Sequence, residues 1–298
     1  MSYPEIAARL FATPLMLHPA KAEIIAQTLG PRVLGVGSVT VNGHGGEQLG
    51  IVGDEMGQWR DSSGASFSQP RRHGSIAVIE VEGSLVNKGK WIGKSSGLTT
   101  YEGIISQVNA VIDDASIAGV IVEVDSFGGE VAGAFDCSER LSELSAVKPT
   151  IAVLTDHALS AGYLMASACR QIVIPASGLA GSIGVMALHV DHSRKLAKEG
   201  LAVTILKAGA RKAELNPFEP IDEAVLEEKL AELEDERQHF AATVARYRAG
   251  RISLDQALAT EAGVYRGQAA VDAGLADTVA RPSQVLAAFE QELGRFAG

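Results

Sequence analysis

The chain has 298 residues, of which 46% are hydrophobic and 21% charged, the ordinary balance of a globular protein. Its formal net charge of −10 argues against a protein that binds nucleic acid through phosphate contacts. The sequence has no uninterrupted run of about 18 apolar residues and no leader pattern at its start, so we expect neither a membrane span nor a signal peptide. The two cysteines lack CxxC spacing, which fits a reducing cytoplasm without a disulfide framework.

The first 74 residues are predicted to form an N-terminal arm and a linker. A short helical arm covers residues 1–30 and ends at Gly30, a residue type that suits a helix C-cap. Residues 31–74 are rich in glycine, serine and other polar residues, which is typical of a linker.

Residues 75–280 alternate between strands and helices and are predicted to form one domain. The predicted strands are nearly continuous apolar runs: SIAVIEVEG, AGVIVEVDS, PTIAVLTD and RQIVIPA. Apolar residues at helical spacing predict helices over TYEGIISQVNAVIDD, EVAGAFDCSERLSELSA and HALSAGYLMASA. This alternation indicates an α/β fold whose parallel sheet is covered by helices on both faces.

Three further elements are predicted toward the C-terminal end. LAVTILKAG, residues 201–209, has the pattern of one more strand. Residues 222–250 are predicted to form a long helix, whose apolar stripe packs against the body of the protein or against a neighbouring subunit. Residues 281–298 are predicted to form a helical tail.

Paired glycines follow a predicted strand in the segment DSFGGEVAGA. Gly128 and Gly129 are predicted to open a helix, where a ligand can approach the backbone closely. The Gly129 N–H would then stabilise a developing negative oxygen, and Gly128 would line a cleft that binds a peptide as an added strand. The simpler interpretation is a tight strand-to-helix turn.

Ser160 precedes the apolar helical run AGYLMASA. A serine at this place is most often a helix N-cap. The alternative is a nucleophile at the helix N-terminus, where the Ala161 N–H is a second oxyanion donor and Gly162 leaves room for a peptide in the cleft. The segment is not the G-x-S-x-G motif, because residue 158 is alanine.

The segment LKAGARKAELNP carries Lys207, Arg211 and Lys212 in a turn that contains glycine. The default interpretation is a surface loop with solvated basic side chains. The sharper one is that a lysine serves as a general base, since burial can lower its pKa from about 10.4 to roughly 7–8. Ser–Lys pairs are an alternative to Ser-His-Asp triads.

The order of these segments, with AGSIGVM and VYRGQAAVDAGLAD after them, resembles the signal peptide peptidase A family of serine proteases over about residues 75–277. The resemblance implies a ClpP/crotonase-like superhelix of β-β-α units with a parallel sheet, to which the N-terminal arm and the long C-terminal helix are added. It implies the nucleophile Ser160, the base Lys212 and the oxyanion glycine Gly129. Many relatives have Gly-Gly after the serine, where this chain has Ala161 and Gly162.

A narrower resemblance is to the head maturation (prohead) proteases of lambda-type tailed phages, carried by FATPLMLHPAKAEII, GLTTYEGI and VAGAFDC. It implies that the chain cleaves scaffold, portal or capsid proteins, and itself, inside a procapsid in the host cytoplasm. It also implies a homo-oligomer, in which the site is completed either within one chain or between neighbouring subunits. Neither a cofactor nor a metal is expected, and neither nucleic acid nor a membrane is an expected partner.

Several alternatives stay open. A ClpP-like triad would use His189 or His192 in place of the lysine. A metal site built on both histidines and Asp191 is disfavoured, because no third ligand pattern accompanies it. The other candidates are a cytosolic protease like the signal peptide peptidases, a crotonase-like acyl-CoA enzyme that needs no serine, and a non-enzymatic capsid-assembly protein.

Overall fold

A computed structural model describes residues 13–19, 21–22, 69–88, 92–93 and 97–296. The predicted helical arm and linker, residues 1–74, therefore lie largely outside the described residues. Within the arm, Leu15–Leu17 form a strand because they pair with Gly128–Glu130, so the prediction of a helix is wrong there. None of the helices in the described ranges combines the length and the hydropathy that a membrane-spanning segment needs.

The described residues contain an eleven-stranded sheet. Its strands are β1 (Leu15–Leu17), β2 (Arg71–His73), β3 (Ile76–Val86), β4 (Ile92–Gly93), β5 (Leu98–Thr100), β6 (Gly119–Glu130), β7 (Thr150–Leu159), β8 (Gln171–Ile174), β9 (Leu179–Gly181), β10 (Val264–Arg266) and β11 (Thr278–Val279). The long strands pair in parallel, β3 with β6 and β6 with β7, and β7 pairs in parallel with both β8 and β9. The predicted α/β class with a mainly parallel sheet is confirmed.

Helices connect and cover these strands. They are α1 (Tyr101–Asp113), α2 (Ala134–Val147), α3 (Ala161–Ser167), α4 (Ser193–Lys198), α5 (Glu223–Tyr247), α6 (Leu254–Ala259), α7 (Gln268–Asp272) and α8 (Pro282–Phe296). Side-chain caps fix three of the starts. Thr100 accepts from the Gly103 N–H at the start of α1, Asp222 from the Ala224 N–H at the start of α5, and Ser253 from the Gln256 N–H at the start of α6.

Two apolar clusters lie on opposite faces of the sheet. The larger one packs α1, α2, α3 and the second half of α5 against β3, β6 and β7. The smaller one packs Val285, Phe289 and Leu293 of α8 against the other face of the same strands. The helix predicted as a tail therefore buries its apolar stripe on the sheet, and the domain boundaries stay a prediction.

The strand predicted at residues 201–209 is wrong for the single chain. Residues 201–207 have no regular secondary structure, and the backbone pairs with no strand of the described chain. Leu201, Val203 and Leu206 have exposed side chains, Leu206 at 92%. A strand needs a neighbour for its backbone N–H and C=O groups, and the sheet of this chain offers none here.

Candidate active site

Ser160 lies in the turn between the end of β7 and the start of α3. It is buried, and its backbone has φ 56° and ψ −123°, a left-handed conformation that is rare for any residue except glycine. Although it occupies the N-cap position, its side chain makes no capping hydrogen bond. The ordinary capping role therefore does not explain this serine.

The strain in this turn indicates a functional position. Backbones held in such regions cost on the order of 1–3 kcal/mol and cluster at active sites. A sharp, strained strand-to-helix turn is also how the nucleophile elbow of G-x-S-x-G hydrolases presents its serine. The chain lacks that motif, yet Ser160 has this kind of backbone geometry.

Backbone hydrogen bonds hold Ser160 in place. Its N–H donates to the Gly181 carbonyl at 2.9 Å, and its own carbonyl accepts from the Leu164 N–H at 3.0 Å. Its Oγ lies 3.5 Å from the Gly184 carbonyl oxygen, a long and weak hydrogen bond. The hydroxyl is therefore loosely held on a rigid backbone.

Gly128 and Gly129 belong to β6 and do not open a helix, so that prediction is wrong. Strand β6 continues to Glu130, and α2 begins only at Ala134. The reason is that β3 keeps pairing with β6 through Gly129, so the strand does not end where the polar residues begin.

Close packing requires both glycines. A β-carbon at Gly129 would lie 1.9 Å from the Leu85 carbonyl oxygen. A β-carbon at Gly128, where φ is 101°, would lie 2.9 Å from the Ser160 β-carbon. The structure thus brings Gly128 and Ser160 together at one edge of the sheet, as expected for the carboxyl ends of parallel strands.

Ala161 and Gly162 follow the serine as the first residues of α3. The first N–H groups of a helix have no partner within the helix, which leaves the Ala161 N–H suited to an oxyanion. Gly162 packs on β6, where a β-carbon would lie 2.9 Å from the Ser126 β-carbon. Its place in the substrate cleft stays a prediction.

Lys212 lies in an exposed 3₁₀ turn, Ala210–Ala213. Its neighbour Arg211 is held by hydrogen bonds to Glu214 and Glu228. Within the described residues, Lys212 makes no hydrogen bond to Ser160. The single chain therefore does not bring the two members of the predicted dyad into contact.

The histidines of the alternative triad have different surroundings. His189 lies 3.2 Å from the Asn216 carbonyl oxygen through its Nε2, and His192 occupies the N-cap position of α4 without a side-chain capping bond. The Ser193 hydroxyl and the Ser193 N–H both donate hydrogen bonds to the Asp191 carboxylate, which lowers the pKa of that carboxyl. In the part of the chain that the structure describes, no histidine is bonded to Ser160 and no cluster of three metal-ligating side chains occurs.

A polar cleft that the sequence patterns did not reveal lies toward the carboxyl ends of β6 and β7. His157, three residues before Ser160, lies 3.2 Å from Asp125 and stacks on Phe127 at 4.2 Å between ring centroids. These side chains line a cavity of about 310 Å³ together with Lys21 and Glu82. Their positions at the ends of two adjacent parallel strands were the signal that could have found them.

Comparison with known proteins decides the family. The model of peptidase family S49 matches residues 142–295, more than half of the chain. The chain belongs to peptidase family S49. The predicted resemblance to signal peptide peptidase A proteases and to lambda-type phage proteases is confirmed by its relatives.

Two relatives come from phages. Capsid assembly protease C of Escherichia phage lambda is 33% identical over 97% of this chain and 66% of that protein. Head-tail preconnector protein GP5 of Enterobacteria phage P21 is 35% identical over 94% of this chain and 56% of that protein. The chain thus spans about two thirds or less of these relatives. A putative signal peptide peptidase SppA of Enterococcus faecium is 26% identical over 73% of this chain and 63% of that protein.

Among solved structures, the chain has low-scoring similarity to a ClpP protein and to an enoyl-CoA hydratase/isomerase family member. A ClpP1 mutant from Listeria monocytogenes has a TM-score of 0.41 at 12% identity, covering 68% of this chain and 91% of that one. An enoyl-CoA hydratase/isomerase family member has a TM-score of 0.43 at 13% identity, covering 74% of each chain.

Proposed function

We propose that this S49 peptidase is a serine endopeptidase with Ser160 as nucleophile and Lys212 as general base. The observation that carries the proposal is the buried serine in a left-handed turn beside Gly128, because neither capping nor packing accounts for it. The Gly129 and Ala161 N–H groups are the proposed oxyanion donors.

The proposed reaction is acyl transfer in two halves. The neutral Lys212 amine takes the proton from the Ser160 hydroxyl, whose oxygen attacks the carbonyl carbon of the scissile bond. The Gly129 and Ala161 N–H groups stabilise the tetrahedral oxyanion. The lysine then gives the proton to the leaving amine, and water hydrolyses the acyl-enzyme to release the second product and restore the serine.

Assembly of several copies is proposed to bring Lys212 to the serine. Residues 201–207, which lead to the lysine turn, have no regular secondary structure, are mostly exposed and pair with no strand of the described chain. Three leucines in or after this segment are exposed: Leu206, and Leu226 and Leu230 in the first half of α5. A neighbouring copy that pairs with this segment would cover that surface and fix the lysine turn.

The substrates are proposed from the relatives. Since the two phage relatives are named for capsid assembly and for the head-tail preconnector, we propose scaffold, portal or capsid proteins as substrates, with self-processing. The setting would be a procapsid in the host cytoplasm. The net charge of −10 gives no support to a nucleic-acid partner.

Co-expression with the neighbouring shell and scaffold proteins tests this function. Wild-type protein is expected to give cleaved shell proteins on a gel, and Ser160→Ala and Lys212→Ala are each expected to give none. Lys207→Ala is the matched control, since it removes a lysine from the same segment and should retain cleavage. Cleavage by Ser160→Ala at the wild-type rate would rule out the proposed nucleophile.

Mixing the two inactive variants tests where the base comes from. If the dyad forms between copies, mixed assemblies of Ser160→Ala and Lys212→Ala contain some intact sites and regain part of the activity. If each chain supplies its own lysine, no mixed assembly has an intact site and activity stays absent.

A further inference from the structure

A segment of the chain itself lies along the glycine end of β6, next to Ser160. Strand β1 pairs antiparallel with the glycine end of β6, in the register Leu15 with Glu130, Met16 with Gly129 and Leu17 with Gly128. On its other side, Leu15 exchanges two backbone hydrogen bonds with Met186, at 2.8 and 3.0 Å. Residues 14–18, here called the arm strand, are therefore held between two edges of the protein, as an added peptide strand would be.

The register places the Met16 carbonyl opposite the proposed oxyanion donor. In antiparallel pairs, hydrogen-bonded and non-hydrogen-bonded residue pairs alternate. The Val131 N–H donates to the Pro14 carbonyl at 3.5 Å and the His18 N–H to the Phe127 carbonyl at 2.8 Å. Met16 lies midway between these two bonds, so the pair that it forms with Gly129 is also of the hydrogen-bonded kind.

Ser160 faces the same peptide group. A β-carbon built on Gly128 would lie 2.0 Å from the Met16 carbonyl oxygen, 3.0 Å from the Met16 carbonyl carbon and 2.9 Å from the Ser160 β-carbon. The Met16 carbonyl and the serine therefore meet across a glycine that has no side chain to separate them. This is the position that a scissile peptide bond would take.

The arm strand also fills the side-chain pockets. Leu15, Met16 and Leu17 are all buried. Leu15 and Leu17 form a small cluster with Ala22 and the partly buried Phe127, Met186 and Leu188, whereas Met16 reaches the main core. The cleft thus accepts three consecutive apolar side chains.

We propose that the arm strand is an internal occupant of the substrate cleft, which holds the peptidase closed until a substrate with a similar run of apolar residues displaces it. This inference rests on the proposed role of Ser160. Among the described residues no basic side chain bonds to the Ser160 hydroxyl, so the arm strand faces an unactivated serine. The single chain is therefore expected to hold the arm strand in the substrate cleft without cleaving it.

Peptide binding tests occupancy without relying on catalysis. The probe is a fluorescent peptide with the sequence of residues 13–19, TPLMLHP, and the readout is its anisotropy with protein that carries Ser160→Ala. Leu15→Asp places a charge in the small apolar cluster and should release the arm strand. Because a tethered segment competes at an effective concentration of about a millimolar, release should tighten peptide binding at least about tenfold.

The matched control is Val147→Asp, which makes the same kind of change at a side chain that is 63% exposed at the end of α2. It should bind the peptide as weakly as the protein with an unaltered arm strand. Equal peptide affinity in Leu15→Asp and Val147→Asp, with both proteins folded, would overturn the proposal.

A reversible lock covers the case in which Leu15→Asp does not fold. Leu15 and Glu130 form a non-hydrogen-bonded pair, whose α-carbons lie about 4.5 Å apart, within reach of a disulfide. In Leu15→Cys/Glu130→Cys, oxidation should lower peptide affinity at least about tenfold relative to the reduced form of the same protein. Failure of the bridge to form in the folded protein, or equal binding in both forms, would contradict the proposal.

Labelling by a fluorophosphonate separates this proposal from the proposed function. With Ser160 restored and the protein assembled, the oxidised form should be labelled at least about tenfold more slowly than the reduced one. Absence of labelling in both assembled forms would count against the proposed Ser160–Lys212 dyad alone, because the peptide-binding result does not depend on it.

Discussion

Replacing Ser160 by glycine is expected to give a more stable protein than replacing it by alanine. Both substitutions remove the hydroxyl, so they differ only in the β-carbon. At φ 56° and ψ −123° that β-carbon strains the backbone, whereas glycine adopts the same conformation freely. The difference in unfolding free energy between the two variants therefore measures the strain stored in this turn.

The magnitude follows from two opposing effects. A non-glycine residue in such a region costs on the order of 1–3 kcal/mol, which Ser160→Gly recovers. Glycine gives back about 0.5–1 kcal/mol, because its unfolded state is more flexible. The net expectation is that Ser160→Gly exceeds Ser160→Ala in stability by about 1 kcal/mol.

Ser138 provides the matched control. It is a buried serine in the middle of α2, and both of its substitutions also lose the same hydroxyl bonds. Its backbone is helical, so glycine should be less stable than alanine there by about 1 kcal/mol. The sign of the difference should therefore reverse between the two serines.

Urea denaturation of all four variants, at one protein concentration, gives both differences. If Ser160→Gly is less stable than Ser160→Ala by the amount found at Ser138, the turn stores no strain. The backbone of Ser160 would then give no sign of a functional position.

Two further predictions concern the ion pair between Arg248 and Asp277 and the docking of the arm strand. The fully buried Arg248 makes a two-pronged ion pair with Asp277, so Arg248→Met should lower the urea-derived stability by about 3 kcal/mol. Arg251 pairs with the same carboxylate but its side chain is 41% exposed, so Arg251→Met should cost under about 1 kcal/mol. Equal losses in the two variants would contradict this expectation. Burial, and then the nearby His157, lower the pKa of His18 below 6.5 in the folded chain. A released arm strand therefore binds more protons than a docked one, so docking should be strongest above pH 6.5 and weaken as the pH falls through the lowered pKa. The probe must lack this histidine, because a peptide that carries it would lose affinity in parallel with the arm strand. Binding of the peptide TPLMLQP should therefore tighten from pH 7.5 to 5.5, and no change would refute the assignment.

The local patterns of the sequence were sufficient for the sheet and its helices. The face of α1 that carries Ile104, Val108 and Val111 is buried as its spacing predicted. The continuous apolar strands became the parallel centre of the sheet for the same reason, since burial on both faces leaves no polar alternation. Such patterns depend only on residues a few positions apart.

The features that define the site depend on distant residues and could not be found that way. The left-handed backbone of Ser160 arises where β7, β9 and α3 meet, and no local motif marks it. The continuation of β6 through Gly129 depends on β3, more than 40 residues earlier in the sequence. The pairing of β1 with β6 joins residues more than 100 positions apart. Loop closure over such distances leaves no trace in residue periodicity.

Over its described residues, the single chain lacks two things that the proposed reaction needs, a base beside Ser160 and an open substrate cleft. The proposed nucleophile and oxyanion donors are fixed by the sheet, so they exist before any partner binds. The proposed base, Lys212, follows a segment that lacks a partner strand, and the proposed substrate cleft is filled by the arm strand. On these proposals, delivery of the base depends on assembly, and opening of the cleft depends on a competing peptide. A protease that must meet both conditions would stay inactive as a free chain and become active only where copies and substrates are concentrated together.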